Sequence, residues 1–277
     1  MTQPTRTWQL GPGFFVSAPD GTPLSAAADV VFGRMLAAQP PPEGALCVHL
    51  DARRAGAGWQ LYADSVPIVR ACADNNLAPV VEGTMVACAA RTRSDCVAFH
   101  AGCVEIAGRG VLLLGEKGSG KSTLTLALAL QGGRYLGDEV VFVRLDDRRI
   151  EAFPKAAALK EESFALFGEA PTWYSPLRGA LRYYQPPDTA PLFHSIPKAD
   201  LIVVPRYRPS GELAVTELAR HETALMLVQQ CFGGLGRNPQ ALEIIAGLSK
   251  APAHLVEYSA AQDAAAAVLR LCNEVKS

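Results

Sequence analysis

No two cysteines in this 277-residue chain have the Cys-x-x-Cys spacing, and the seven of them (Cys47, Cys72, Cys88, Cys96, Cys103, Cys231, Cys272) form an odd set. That pattern argues against a disulfide framework or a structural zinc site and fits reduced thiols in a cytosol. No apolar run reaches the ~18 residues that a membrane helix needs. The opening MTQPTRTWQLGPGFFV has no charged segment followed by an apolar one, so no secretory signal is expected. A large excess of one charge is missing too: 26 Lys and Arg face 27 Asp and Glu, for a net charge of −1. This balance argues against a general nucleic-acid or membrane-surface binder, although local basic patches remain open. What is abundant is apolar: 49% hydrophobic against 19% charged residues provides a sizeable core and leaves no expectation of disorder. The expectation is a cytoplasmic protein without nucleic-acid or membrane partners.

Residues 1–90 read as a small N-terminal α+β domain. Short apolar stretches broken by Gly-Pro and Asp-Gly in TWQLGPGFFVSAPDGTPL predict strands joined by a turn. SAAADVVFGRMLAAQPPPEG predicts a helix stopped by the prolines at 40–42, and ALCVHLDA and GWQLYADSVPIV two further strands. Residues 91–277 turn α/β. CVAFHAGCVEI and RGVLLLG are β-rich runs, KSTLTLALALQGG is a helix ended by a glycine pair, and YLGDEVVFV reads as one strand. The proline-bearing WYSPLRGALRYYQPPDTAPLF is expected to be a surface loop, ADLIVVPRY a buried strand, and the remainder three helices with AHLVEY between the last two.

The sharpest signal is Gly115-Glu116-Lys117-Gly118-Ser119-Gly120-Lys121-Ser122, placed between a predicted strand and a predicted helix. Glycines at these positions let backbone N–H groups turn toward a phosphate, and the helix N-terminus adds partial positive charge. Lys121 supplies a point charge for β and γ phosphates, Ser122 a hydroxyl for Mg²⁺, and Thr123 completes the binding segment. ATP with Mg²⁺ is the expected cofactor pair. Glu116 is the oddity, a carboxylate that must point outward or bind metal if it lies beside polyphosphate.

Sixteen residues beyond Ser122 stand Asp138 and Glu139, read as beginning a strand that lies beside the loop. Two carboxylates beside a bound metal can divide the labour, Asp138 toward the ion together with Ser122, and Glu139 toward an incoming hydroxyl as its base. The rival reading is a solvated pair at a strand edge.

FHAGCVEIAGRGVLLLGEKGSGKSTLTLAL…YLGDEVVFV resembles the C-terminal kinase domain of HPr serine kinases/phosphorylases. It is closer to their HPr kinase-related relatives, in particular the group called HPr kinase-related kinase A. AFPKAAALKEESF and the opening TWQLGPGFFV are similar to stretches of the same relatives. The resemblance implies an α/β fold: a P-loop nucleotide-binding sheet of the HPr kinase/phosphoenolpyruvate carboxykinase type. It also implies transfer of the γ-phosphoryl group of ATP to a serine hydroxyl. Carried over, Asp138 and Glu139 match the two adjacent aspartates, Glu139 as general base, and His100 matches the histidine that orients the pair. LGRNPQALEII is similar to a Pro-Gly-Arg-Asn segment of that family and makes Arg237 a nucleotide ligand candidate. The resemblance also suggests a homo-oligomer. The family's Glu-x-Arg-Gly-x-Gly stretch, which helps hold HPr, does not occur here, so the acceptor is a protein or peptide left unidentified.

Other residues have plainer alternatives. Lys155 and Lys160 can reach phosphate or simply decorate a surface strand. Arg178 and Arg182, among Trp173, Tyr174, Tyr183 and Tyr184, can capture a peptide or sit in a solvated loop. Lys198-x-Asp200 imitates a base-reading motif but precedes its strand rather than following it, and there is no LSGGQ-like signature. Two rival functions remain: a regulatory or assembly ATPase without phosphotransfer, and a small-molecule kinase.

Overall fold

The computed structural model describes residues 4–234 and 239–274. It has two compact units, Met1–Arg93 with Ala158–Tyr184, and Ser94–Ala157 with Gln185–Ser277. Composition changes once, near residue 90, whereas the first unit also takes in Ala158–Tyr184, a segment inserted within the second.

In the first unit, β1 (Thr5–Gly11), β2 (Phe14–Pro19), β3 (Leu46–Ala55), β4 (Gly58–Ala63) and β5 (Val66–Cys72) form a five-stranded sheet in sequence order. Neighbours are antiparallel except β2 and β3, which are parallel because α1 (Pro23–Phe32) intervenes as a crossover. Thr22 caps α1 in a reciprocal pair with Ser25, and Pro23 at its first position has no N–H to leave unpaired. The helix ends at Gly33, well before the prolines at 40–42 that were expected to stop it. The segment NNLAPVV… becomes α2 (Leu77–Thr92).

The second unit opens with β6 (Cys96–Phe99), β7 (Gly102–Ile106), β8 (Arg109–Leu113), α3 (Lys121–Leu130), β9 (Arg134–Gly137), β10 (Val141–Arg144) and β11 (Ile150–Glu151). The chain then crosses to the first unit through β12 (Ala157–Lys160), α4 (Phe164–Phe167), β13 (Thr172–Ser175) and β14 (Gly179–Tyr184), strands that order β12-β14-β13. β13 and β14 are a hairpin where a surface loop was expected. Pro176 falls in its turn, and the other prolines of that stretch lie beyond β14. The buried Glu82 of α2 binds Arg178 and accepts a 3.0 Å hydrogen bond from the Tyr183 hydroxyl, which ties this insertion to the first unit.

Back in the second unit follow β15 (Ser195–Ile196), β16 (Ala199–Tyr207), β17 (Ala214–Glu217), α5 (Arg220–Gln230), α6 (Ala241–Leu248), β18 (Ala253–Tyr258) and α7 (Ala261–Glu274). Its six-stranded sheet runs β17-β18-β16-β8-β7-β9, with β18, β16 and β8 mutually parallel at the centre. Central strands of this kind are buried on both faces, which explains the unbroken apolar run of β8. Val111 and Leu113 face a core with Leu124 and Leu128 of α3 and Ala264 and Val268 of α7. Leu112 and Leu114 face a second core with Phe99, Val141, Ile150, Leu227 and Ile245. That second core also serves the four-stranded sheet β15-β11-β10-β6. Among the described residues no helix is long and apolar enough to cross a membrane.

Candidate functional site

β8 ends at Leu113 and α3 begins at Lys121, so the glycine-rich segment is the connection between them, at the carboxyl end of the parallel strands. Gly115, Gly118 and Gly120 all have positive φ (146°, 86° and 96°), backbone that L side chains rarely adopt. A Cβ at Gly115 would stand 2.9 Å from Ser119 Oγ, and one at Gly120 would collide with the Tyr258 hydroxyl. The loop is pinned from outside: Tyr207 N–H donates to the Ser119 carbonyl (3.0 Å) and the Tyr258 hydroxyl to that of Gly120 (3.1 Å). Lys121, only 6% exposed, folds back to donate its ammonium to the Gly115 carbonyl (2.6 Å) and the Glu116 carbonyl (3.1 Å). Glu116 and Lys117 are exposed to solvent.

The acidic pair does not begin a strand, as the sequence suggested, but lies where one run is cut in two. β9 pairs with β7 in the six-stranded sheet through Gly137 and Cys103, whereas β10 pairs with β6 in the four-stranded sheet through Val141 and Phe99. Both segments therefore change sheets side by side, at 100–101 on one and 138–140 on the other. His100, expected within a strand, occupies the first of these bends and Asp138-Glu139 the second. His100 Nε2 lies 3.5 Å from Glu139 Oε2, with both side chains about one-third exposed. The His100 N–H is anchored to the Gln230 carbonyl at 2.7 Å, and its ring meets Phe232 edge-on. Glu139 has φ 76°, an uncommon conformation for a residue with a Cβ that costs of order 1–3 kcal/mol and concentrates at functional sites.

Asp138 is 1% exposed, and neither carboxylate oxygen reaches hydrogen-bond geometry with any described residue. Burial pushes its carboxyl above the usual range, and the neighbouring Glu139 adds to this. The Lys155 ammonium, the nearby Ser122 hydroxyl and Lys121 pull the other way. A buried carboxylate is costly unless opposite charge, hydrogen bonds or a bound ion offset its lost hydration. Among the described residues no group of three or more His, Cys, Asp or Glu could hold a metal. Ser122 and Asp138 offer oxygen donors suited to Mg²⁺, which commonly takes one or two protein ligands and the rest from phosphate and water. The residues fit that ion.

Of the two readings open for Lys155, the surface-strand one fails, because its side chain is fully buried. Phe153 bridges to Gly137 and donates its N–H to Leu136, and the Tyr135 hydroxyl donates to the Lys155 carbonyl (2.9 Å). This register brings Lys155 alongside the acidic pair, a placement that only the unpredicted pairing of 153–155 with 135–137 reveals. Lys160 belongs to the first unit, as do Arg178, engaged by Glu82, and Arg182, which stacks on Phe164 at 4.3 Å. The latter two are thus engaged side chains rather than members of a solvated loop. Lys198 pairs with Asp200 at 3.3 Å at the start of β16. There, at the strand end remote from the glycine loop, a cavity of about 630 Å³ is lined by Lys198, Asp200, Ile244 and Leu248 and holds none of the site residues. Arg237 lies outside the described residues.

No family model matches the chain, and no curated protein matches it either. Among solved structures it is similar to the HPr(Ser) kinase/phosphatase from Coxiella burnetii, at 13% identity and a TM-score of 0.31, over 64% of this chain and 94% of that one. Similarity at this level decides neither fold nor chemistry, and the functional reading stands on the chain's own residues.

Proposed function

We propose that this protein is an ATP- and Mg²⁺-dependent phosphotransferase of the HPr kinase-related type that moves the γ-phosphoryl group to a hydroxyl of a protein or peptide. The observation that carries the proposal is the grouping in one unit of a glycine loop with its buried Lys121, the buried Asp138, and the Glu139–His100 pair. Loop amides and the α3 N-terminus hold the phosphates, and Lys121 exchanges two carbonyls for phosphate oxygens. Ser122 and Asp138 hold the metal, which when bound neutralises charge on the transferring group. Glu139 accepts the proton of the acceptor hydroxyl as its oxygen bonds to the γ phosphorus and the bond to the departing ADP oxygen breaks. His100 positions the Glu139 carboxylate. Positioning and charge neutralisation supply most of the rate, because a loose transition state asks little covalent help of the protein.

The test is incubation with γ-labelled ATP, Mg²⁺ and candidate acceptor proteins. Label on a serine of an acceptor supports the reading. Release of free phosphate without labelled acceptor would favour a regulatory ATPase, and label on a small hydroxyl compound would favour a small-molecule kinase.

A further inference from the structure

The nucleotide reading accounts for the metal end of the site and leaves the opposite flank of the loop unassigned. In the six-stranded sheet, β9 delivers Asp138 two places to one side of β8, while β16 and β18 lie on the other side. A triphosphate whose γ end faces Asp138 and Lys121 and whose chain runs along the loop away from β9 would carry its ribose and base toward the carboxyl ends of β16 and β18. Tyr207 and Tyr258 stand at those ends.

Tyr258 is buried and spends its hydroxyl on the Gly120 carbonyl. Tyr207 is 45% exposed, a large aromatic ring left open to solvent beside the loop. Its position is fixed nonetheless. Its N–H donates to the Ser119 carbonyl, and one edge of its ring meets Tyr258 at a centroid distance of 5.9 Å. The next residue, Arg208, donates its N–H to the Tyr258 carbonyl (2.8 Å) and its guanidinium to Glu257, which locks the two strand ends together. The result is an anchored, half-open aromatic ring, one backbone hydrogen bond away from the phosphate loop.

From this geometry we infer that Tyr207 is the nucleobase platform of the site, on which the base of the bound nucleotide stacks. Every base has a π face, so an aromatic platform of this kind contributes affinity with little choice among bases. The inference rests on the nucleotide reading proposed above.

Calorimetric titration with Mg-ATP and, separately, with Mg-tripolyphosphate tests it, because the second ligand has the phosphates without base or ribose. Tyr207→Ala should weaken ATP binding roughly tenfold or more, the usual loss when one stacking partner is removed. It should leave tripolyphosphate binding unchanged. Tyr207→Phe, which keeps the ring, should bind both like the wild type. Equal ATP affinity in Tyr207→Ala and wild type would overturn the platform. So would a parallel loss of both ligands, since Tyr207 would then only support the loop. Wild-type protein that binds ATP and tripolyphosphate with identical affinity would show that no platform exists, while binding of neither would remove the nucleotide reading itself.

Discussion

Asp138 and Glu139 are neighbours with opposite circumstances, one sealed from water and the other one-third open to it. Their substitutions should separate accordingly. Glu139→Gln keeps shape and much of the hydrogen bonding but cannot accept a proton, so phosphoryl transfer should fall by roughly 10²-fold or more while nucleotide and Mg²⁺ binding survive. Asp138→Asn should weaken the metal-dependent part of ATP binding as well as turnover. Initial-rate kinetics beside calorimetry distinguishes the two; full turnover in Glu139→Gln would pass both tasks to Asp138. Stability should move the other way. Burial raises the Asp138 pKa even net of the Lys155 attraction, so the folded state holds that proton more tightly than the unfolded chain does. Its contribution is fully present below the unfolded value of about 4 and is lost as pH rises through the folded value. Asn mimics the protonated form. Without ligand, thermal melts of Asp138→Asn at pH 7 should therefore lie above those of the wild type, and the gap should close toward pH 4. Mg-ATP should stabilise the wild type more than the variant, because binding to the folded state adds its own free energy.

Among the elements, the junction of the loop with α3 is the most constrained. Gly120→Ala places a Cβ against the Tyr258 hydroxyl in a backbone region disfavoured for alanine. It should cost about 1–3 kcal/mol of stability and depress nucleotide affinity, measured by denaturant unfolding and titration; an unchanged midpoint and affinity would show that the loop is slack. This junction was legible in the sequence because glycine spacing, strand and helix are all local signals. The sheet exchange was not. CVAFHAG and YLGDEVVFV each read as continuous apolar chain, and periodicity does not register that hydrogen-bonding partners change between Phe99 and Gly102 or between Gly137 and Val141. The irregularity falls on the site residues themselves. Lys155 escaped for a related reason, since its burial comes from a bridge to residues well upstream. The β13–β14 hairpin was hidden by prolines that bound the strands rather than interrupt them.

At the scale of the molecule, all seven cysteines are free thiols, as the odd count and spacing suggested. Denatured, unreduced protein should titrate close to seven thiols per chain; a count near five would reveal a disulfide. In the folded protein Cys47, which is exposed, should react first. Burial raises the Cys103 thiol far above its ordinary pKa and moves Cys272 up to about 11, so both should wait for unfolding. The division into two units was only half visible. A change in composition near residue 90 marks where the first unit pauses, but nothing local announces that residues 158–184 return to it. That return depends on the Glu82 contacts made by Arg178 and Tyr183 across a long stretch of sequence.

The exchange of partners at His100 and Glu139 has a geometric corollary. Each of these residues lies where the chain passes between two sheets that share one apolar core, to which Phe99, Val141, Leu112 and Leu114 all belong. The gap between imidazole and carboxylate thus spans two bends whose flanking strands pack into that one core.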